Sequence, residues 1–104
     1  MSKTPEGKVK ERVKEVLDEA GAYHNWPVPG GYGVPMLDCI GCHRGEGFMV
    51  ETKVRGQTMT PRQEFTRAQF ELAGGKVFLI TGVVEEDPDT WPGFTDLEQW
   101  LKRK

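Results

Sequence analysis

The octet Gly47-Phe48-Met49-Val50-Glu51-Thr52-Lys53-Val54 reads as a β-strand, opened by the turn-forming group His43-Arg44-Gly45-Glu46-Gly47. Side chains alternate along a strand, so Met49, Glu51 and Lys53 share one face while Phe48, Val50, Thr52 and Val54 take the other. A carboxylate and an ammonium therefore become neighbours at the end of a strand whose remaining composition is that of a core. The segment Met36 to Gly41 supplies the partner strand of a hairpin and brings Asp38 to the same end of the sheet. Two carboxylates and a lysine converging there can hold a hard divalent cation and an activated water, the equipment needed to hydrolyse phosphodiesters. Taken in isolation, Glu51 and Lys53 also allow a plainer reading, an exposed strand face with a minor ion pair.

On the N-terminal side, Thr4-Pro5-Glu6 has the form of a helix N-cap followed by proline at the first helical position. Val9, Val13, Val16, Leu17 and Ala20 then recur at helical spacing, and Gly21 ends the run. The Gly-, Pro- and aromatic-rich stretch from Ala22 to Val34 predicts an extended approach to the sheet. On the C-terminal side, Thr60-Pro61-Arg62-Gln63 starts a second helix with Thr60 and Gln63 at capping-box spacing. Phe65, Ala68 and Leu72 mark its expected buried stripe, and Gly74-Gly75 stops it. Lys76 to Thr81, with Val77-Phe78-Leu79-Ile80, reads as a buried strand. Residues 83–94 form a linker through Asp87-Pro88-Asp89 and Trp91-Pro92-Gly93. Thr95-Asp96-Leu97-Glu98 caps a final helix, 95–104, that carries Leu97, Trp100 and Leu101. The order α, β, β, α, β, α makes a single α/β domain over 1–104.

At 104 residues the chain supports one small core, and its 37% hydrophobic residues are clustered rather than dilute, which favours a folded domain over disorder. A net charge of −2 does not announce a nucleic-acid binder. No apolar run approaches the length of a membrane span, and Met1 to Arg12 is too charged for a signal peptide. The expectation is a cytoplasmic protein without membrane contact, in a host cytoplasm if it is phage-encoded.

The chain also resembles a known family. Asp38-Cys39-Ile40-Gly41-Cys42, Arg44-Gly45, Phe48-Met49-Val50-Glu51-Thr52-Lys53, Thr60-Pro61-Arg62-Gln63 and Ala73-Gly74-Gly75 look like the VRR-NUC nucleases of the PD-(D/E)XK superfamily, in particular the small single-domain members common in phages. The likeness spans roughly residues 5 to 82. It implies a small mixed central sheet flanked by helices and a magnesium- or manganese-dependent site that cuts DNA. It also places the family's helical glutamate at Glu6. In many members proline directly precedes the Asp, whereas here Met36 and Leu37 separate Pro35 from Asp38, so the backbone leading into the site differs.

Each residue can be given a physical role. Asp38, Glu51 and the Thr52 backbone carbonyl are oxygen ligands of the kind Mg2+ or Mn2+ takes. Lys53 can orient the attacking water or bind a phosphate as a point charge. Glu6 can reach the ion through water or bind a second one, or be only an acidic first-turn residue favoured by the helix dipole. Gln63 can steer the nucleophile or a phosphate, or simply complete the capping box. Lys8, Lys10, Arg44, Arg55, Arg62, Arg67 and Lys76 are candidate phosphate contacts or solvated charges, with Arg55 and Arg62 favoured because they flank the strand and the helix start; Lys10 is carried with them. No base-reading element is visible, so contact with duplex or branched DNA would run through the backbone. The segment Trp26 to Tyr32 can stack on an unpaired base, or pack on the core or a second subunit.

The string Cys39-Ile40-Gly41-Cys42-His43 matches a c-type haem attachment motif. Its strand-turn context and the absence of an export signal argue against a cytochrome, zinc lacks ligands, and a disulfide is disfavoured in a reducing compartment. The leading expectation is a metal-dependent DNA endonuclease, in its most specific form a resolvase-like enzyme on branched DNA; the alternatives are a non-catalytic nucleic-acid-binding module on the same fold, or the cytochrome. Trp26, Trp91, Trp100, Phe94 and Tyr23 lie outside the hairpin and need cover, which together with the resemblance points to a homodimer.

Overall fold

Thr4 opens the first helix, α1 (Pro5–Ala20), by accepting the Gly7 amide on its hydroxyl at 3.1 Å, and Gly21 closes it in the left-handed region at φ 75°. The computed structural model describes residues 4–27 and 36–103; the predicted segment from Val28 to Pro35, including Tyr32 and the proline ahead of Asp38, lies outside them. Val9, Val13, Val16 and Leu17 form the buried stripe of α1, as their spacing requires.

Among the described residues four strands follow in the order β1 (Tyr23–Asn25), β2 (Cys39–His43), β3 (Glu46–Val54) and β4 (Lys76–Gly82), and they are hydrogen-bonded in that same order. β1 and β2 are antiparallel, as are β2 and β3, while β3 and β4 are parallel and joined by the crossover helix α2 (Pro61–Leu72). The sheet is therefore mixed. β1 falls in the stretch expected to be loop: three residues leave too short a pattern for period-two alternation to show.

The hairpin turn is tighter than the sequence suggested. Only Arg44 and Gly45 form it, with φ 48° and 88°, while His43 and Glu46 pair across the strands. A two-residue turn with positive φ at both positions matches the twist of an antiparallel pair. The pairing shifts β2 towards the turn, so Asp38 stands one residue ahead of the strand rather than inside it.

β3 is buried on both faces. On one, Phe48 and Val50 join Val9, Val13 and Leu17 of α1, Phe78 and Ile80 of β4, and Phe94, Leu97, Trp100 and Leu101 of the final helix, α3 (Phe94–Arg103). Trp100 touches the rings of Phe48 and Phe78 at centroid distances of 5.6 and 5.4 Å. On the other, Met49 packs with Leu37, Met59 and Val77, under Phe70 of α2. The segment expected as a linker holds a short 3-10 helix, Pro88–Thr90, and the buried Trp91. Thr95 does not cap α3; the helix begins at Phe94 and the Thr95 hydroxyl bonds to the Asp89 carbonyl at 3.2 Å.

The buried stripe expected for α2 is wrong. Phe65, Ala68 and Leu72 are exposed, Leu72 at 91%, and the inward side is Gln63, Thr66, Arg67 and Phe70. Two anchors set this rotation. Gln63 bonds to the strand below at one end of the helix. At the other, Phe70 lies over Gly47 and Gly75, where a Cβ would come within 3.5 and 2.2 Å of its ring.

Candidate metal and active site

Cys39 pairs with Val50, so the antiparallel register carried one step further sets Asp38 opposite Glu51, just ahead of β2 and beside the second half of β3. The Asp38 amide donates to Glu51 Oε1 at 3.1 Å. In return, Asp38 Oδ2 accepts both the backbone amide of Thr52 at 2.9 Å and its hydroxyl at 2.8 Å. The two acids thus hold each other's backbone. Lys53 Nζ lies 3.3 Å from Glu51 Oε2, and Gln63 Nε2 donates to the same oxygen at 3.0 Å.

The capping box of α2 sets the direction of that last bond. Gln63 Oε1 accepts the Thr60 amide at 3.0 Å, while the Gln63 amide donates to the Thr60 hydroxyl at 3.2 Å. With its oxygen committed to the cap, the Gln63 side chain has only its NH2 to offer Glu51. One conformation thus completes the cap and places the Gln63 NH2 on Glu51. It touches the carboxylate rather than standing free for water or phosphate.

Glu51 is 2% exposed, which removes the exposed-strand reading. Burial, then the charge of Asp38, push its carboxyl above the ordinary glutamate value, and Lys53 and the Asp38 amide only partly oppose this. The acid pair is thus short of positive charge, which suits a divalent cation. The donor set agrees: Asp38 Oδ1 takes no hydrogen bond among the described residues, and Glu51 Oε1 receives only one. Asp38, Glu51 and the Thr52 carbonyl between Glu51 and Lys53 make an all-oxygen set of the number magnesium accepts when it keeps several waters. Among the described residues no three His, Cys, Asp or Glu side chains converge into a ready cage.

Glu6 and Lys10 approach from α1. Lys10 Nζ lies 3.9 Å from Glu6 Oε2 and 3.7 Å from Asp38 Oδ1, so this lysine stands between Glu6 and the acid pair. Lys10, carried from the sequence as a phosphate contact, stands inside the cluster. Arg55 is tied to Glu86 at 2.9 Å on the surface, while Arg62 is exposed in the first turn of α2 with no ion pair among the described residues. The Thr52 hydroxyl was not anticipated. Its signal was a polar β-branched residue within a buried run.

The Cys39-x-x-Cys42-His43 string does not form a ligand group. Alternation sends Cys39 and His43 into the core and Cys42 to the opposite, exposed face. His43 bonds through Nε2 to the Leu101 carbonyl at 2.9 Å and packs on Trp100. Burial pushes the Cys39 thiol up to about 12, so it remains a protonated core group. The cytochrome and zinc readings fail on this geometry.

No family model matches the chain, and neither does any curated protein. Among solved structures it is similar to one described as a VRR_NUC domain, with 22% identity, a TM-score of 0.65, and coverage of 96% of this chain and 97% of that one. The likeness is one of fold: the chain is folded as a VRR_NUC domain, a PD-(D/E)XK-like mixed sheet between helices.

Proposed function

We propose that this protein is a divalent-metal-dependent endonuclease that hydrolyses DNA phosphodiesters. The observation that carries the reading is the facing pair Asp38 and Glu51, with Lys53 on the Glu51 carboxylate at the end of a buried strand. A module that only binds has no use for a buried acid whose charge is disfavoured, whereas a metal centre does. Asp38 and Glu51 would hold Mg2+ or Mn2+, and the ion, when bound, supplies Lewis-acid stabilisation of phosphate charge. Thr52 fixes Asp38, and Gln63 and the Asp38 amide fix Glu51, so the ligands are oriented before substrate arrives. Lys53 presents a point charge to the phosphate or its attacking water. Arg62, exposed in the first turn of α2 next to Gln63, would be available to a flanking phosphate.

The finer reading is a structure-selective enzyme acting on branched DNA. Resolving a four-way junction requires paired cuts on two strands, which a two-fold symmetric dimer supplies geometrically. Trp91, Phe94 and Trp100 no longer argue for one, because each is buried in the chain's own core. The case rests on that geometric requirement and on the apolar residues left exposed on α2. Linear, nicked, flapped and four-way DNA, each incubated with and without magnesium or manganese, tests both levels. Metal-dependent cleavage supports the nuclease, and symmetric cuts by a species sedimenting as a dimer support the resolvase. No cleavage of any substrate with either metal would overturn the proposal.

A further inference from the structure

The acid cluster divides into two halves. Glu51 is served by Lys53, Gln63 and the Asp38 amide. Asp38 Oδ2 is occupied twice by Thr52, which leaves Oδ1 turned to α1, where Lys10 lies 3.7 Å away. The same ammonium lies 3.9 Å from Glu6 Oε2, one helical turn earlier, in the orientation that favours a Glu–Lys pair. The Lys10 side chain is 29% exposed, and its ammonium lies within ion-pair distance of both carboxylates.

In two-metal phosphodiester sites the second ion shares an acid with the first and takes a further oxygen of its own. Here the shared acid would be Asp38 and the further oxygen Glu6, and the ammonium stands between them. The charges agree. With Glu51 ionised, three carboxylates against two ammoniums leave one negative charge, which a single divalent ion turns into one positive charge for the phosphate. We propose that Lys10 is a built-in cation in the place of a second divalent ion, so that the centre holds one ion, and that removing its charge opens a second ion site between Asp38 and Glu6. The inference rests on the metal-dependent reading of the site.

Manganese titration of the full chain, followed by electron paramagnetic resonance and calorimetry without DNA, tests it apart from activity. The wild type and Lys10→Arg are expected to bind one ion. Lys10→Met is expected to bind two, and Lys10→Met combined with Glu6→Gln to return to one. Thermal melts establish that each variant is folded, and Lys10→Gln takes the place of Lys10→Met should the latter not fold. Two ions on the wild type, or one on the charge-removed variant, would overturn the role given to Lys10. No ion on the wild type at millimolar manganese would instead bring down the metal reading itself, and this inference with it.

Discussion

Glu51 is the side chain to which the others are fitted, with an amide, a carboxamide and an ammonium all aimed at its two oxygens. Truncation is a poor probe here. Asp38→Ala would strand the buried Thr52 amide and hydroxyl, a loss of about 1–3 kcal/mol per group, and would blur chemistry with folding. Asp38→Asn and Glu51→Gln keep the shape, and each is expected to abolish metal-dependent cleavage. Lys53→Met is expected to bind metal and lose about 10²–10³-fold in turnover, the scale of one electrostatic group at a reacting centre. Wild-type rates in these variants would remove the residues from the mechanism. The raised carboxyl of Glu51, due first to burial and then to Asp38, has a thermodynamic signature. The folded protein keeps the Glu51 proton to higher pH than the unfolded chain does. Between the ordinary glutamate value and the raised one, metal-free stability therefore increases as pH falls and is lost as pH rises through the folded value. Urea melts of the wild type minus those of Glu51→Gln should show this slope, and saturating magnesium should reduce it; no difference in slope would show that Glu51 is not perturbed. The identities of Asp38, Glu51 and Lys53 were legible because acids and a lysine interrupt an apolar pattern. The place of Lys10 was not, because a lysine on a helix looks the same whether it faces solvent or a cluster on another element.

Among the elements, α2 shows most clearly what a pattern can and cannot carry. Its start was written in the sequence as Thr60-Pro61-Arg62-Gln63, and the capping box is present with both of its bonds. Its rotation was misread, because the inward side carries Gln63, Thr66 and Arg67 and only Phe70 is apolar, while Phe65 and Leu72 point outward. A hydrophobic count ranks the wrong face when a helix is held by a polar bond at one end and a single ring over two glycines at the other. The arrangement couples a cap to the buried carboxylate of Glu51. Thr60→Ala should cost about 1 kcal/mol, a fall in Tm of about 4–8 °C. Turnover should also fall, by up to about 10-fold, because the turn that carries Gln63 loosens while the Thr60 amide that orients its side chain is kept. Thr60→Ser should restore both. A Tm loss without a change in turnover would confine the capping box to stability. In α1, by contrast, four of the five periodic positions are buried as plain aliphatic contacts, and Ala20, in the last turn, is half-buried.

Across the whole molecule, a net charge of −2 means that DNA, on the proposed function, would have to be met by a local positive region and a bound ion against a mildly repulsive background. DNA affinity should accordingly be weak without divalent metal and should fall steeply with monovalent salt, with a log–log slope near the number of phosphates engaged. Affinity indifferent to salt would exclude a phosphate-led interface. Among the described residues no helix is long and apolar enough to cross a membrane. The C-terminal quarter carries more of the architecture than its sequence announced. Thr81 donates its amide to the Pro92 carbonyl, Gly93 lies so close to the Leu79 carbonyl that a Cβ would clash with it, and Trp91 to Leu101 complete the larger core. This strap covers the outer edge of β4. A fragment ending at Gly82 would retain every proposed metal ligand yet present a bare strand edge beside the uncovered Phe78 and Ile80. An exposed edge of that kind templates pairing with other chains. Expressed alone, residues 1–82 should collect as insoluble aggregate, so the smallest unit that carries the chemistry is not the smallest unit that can stay dispersed in water.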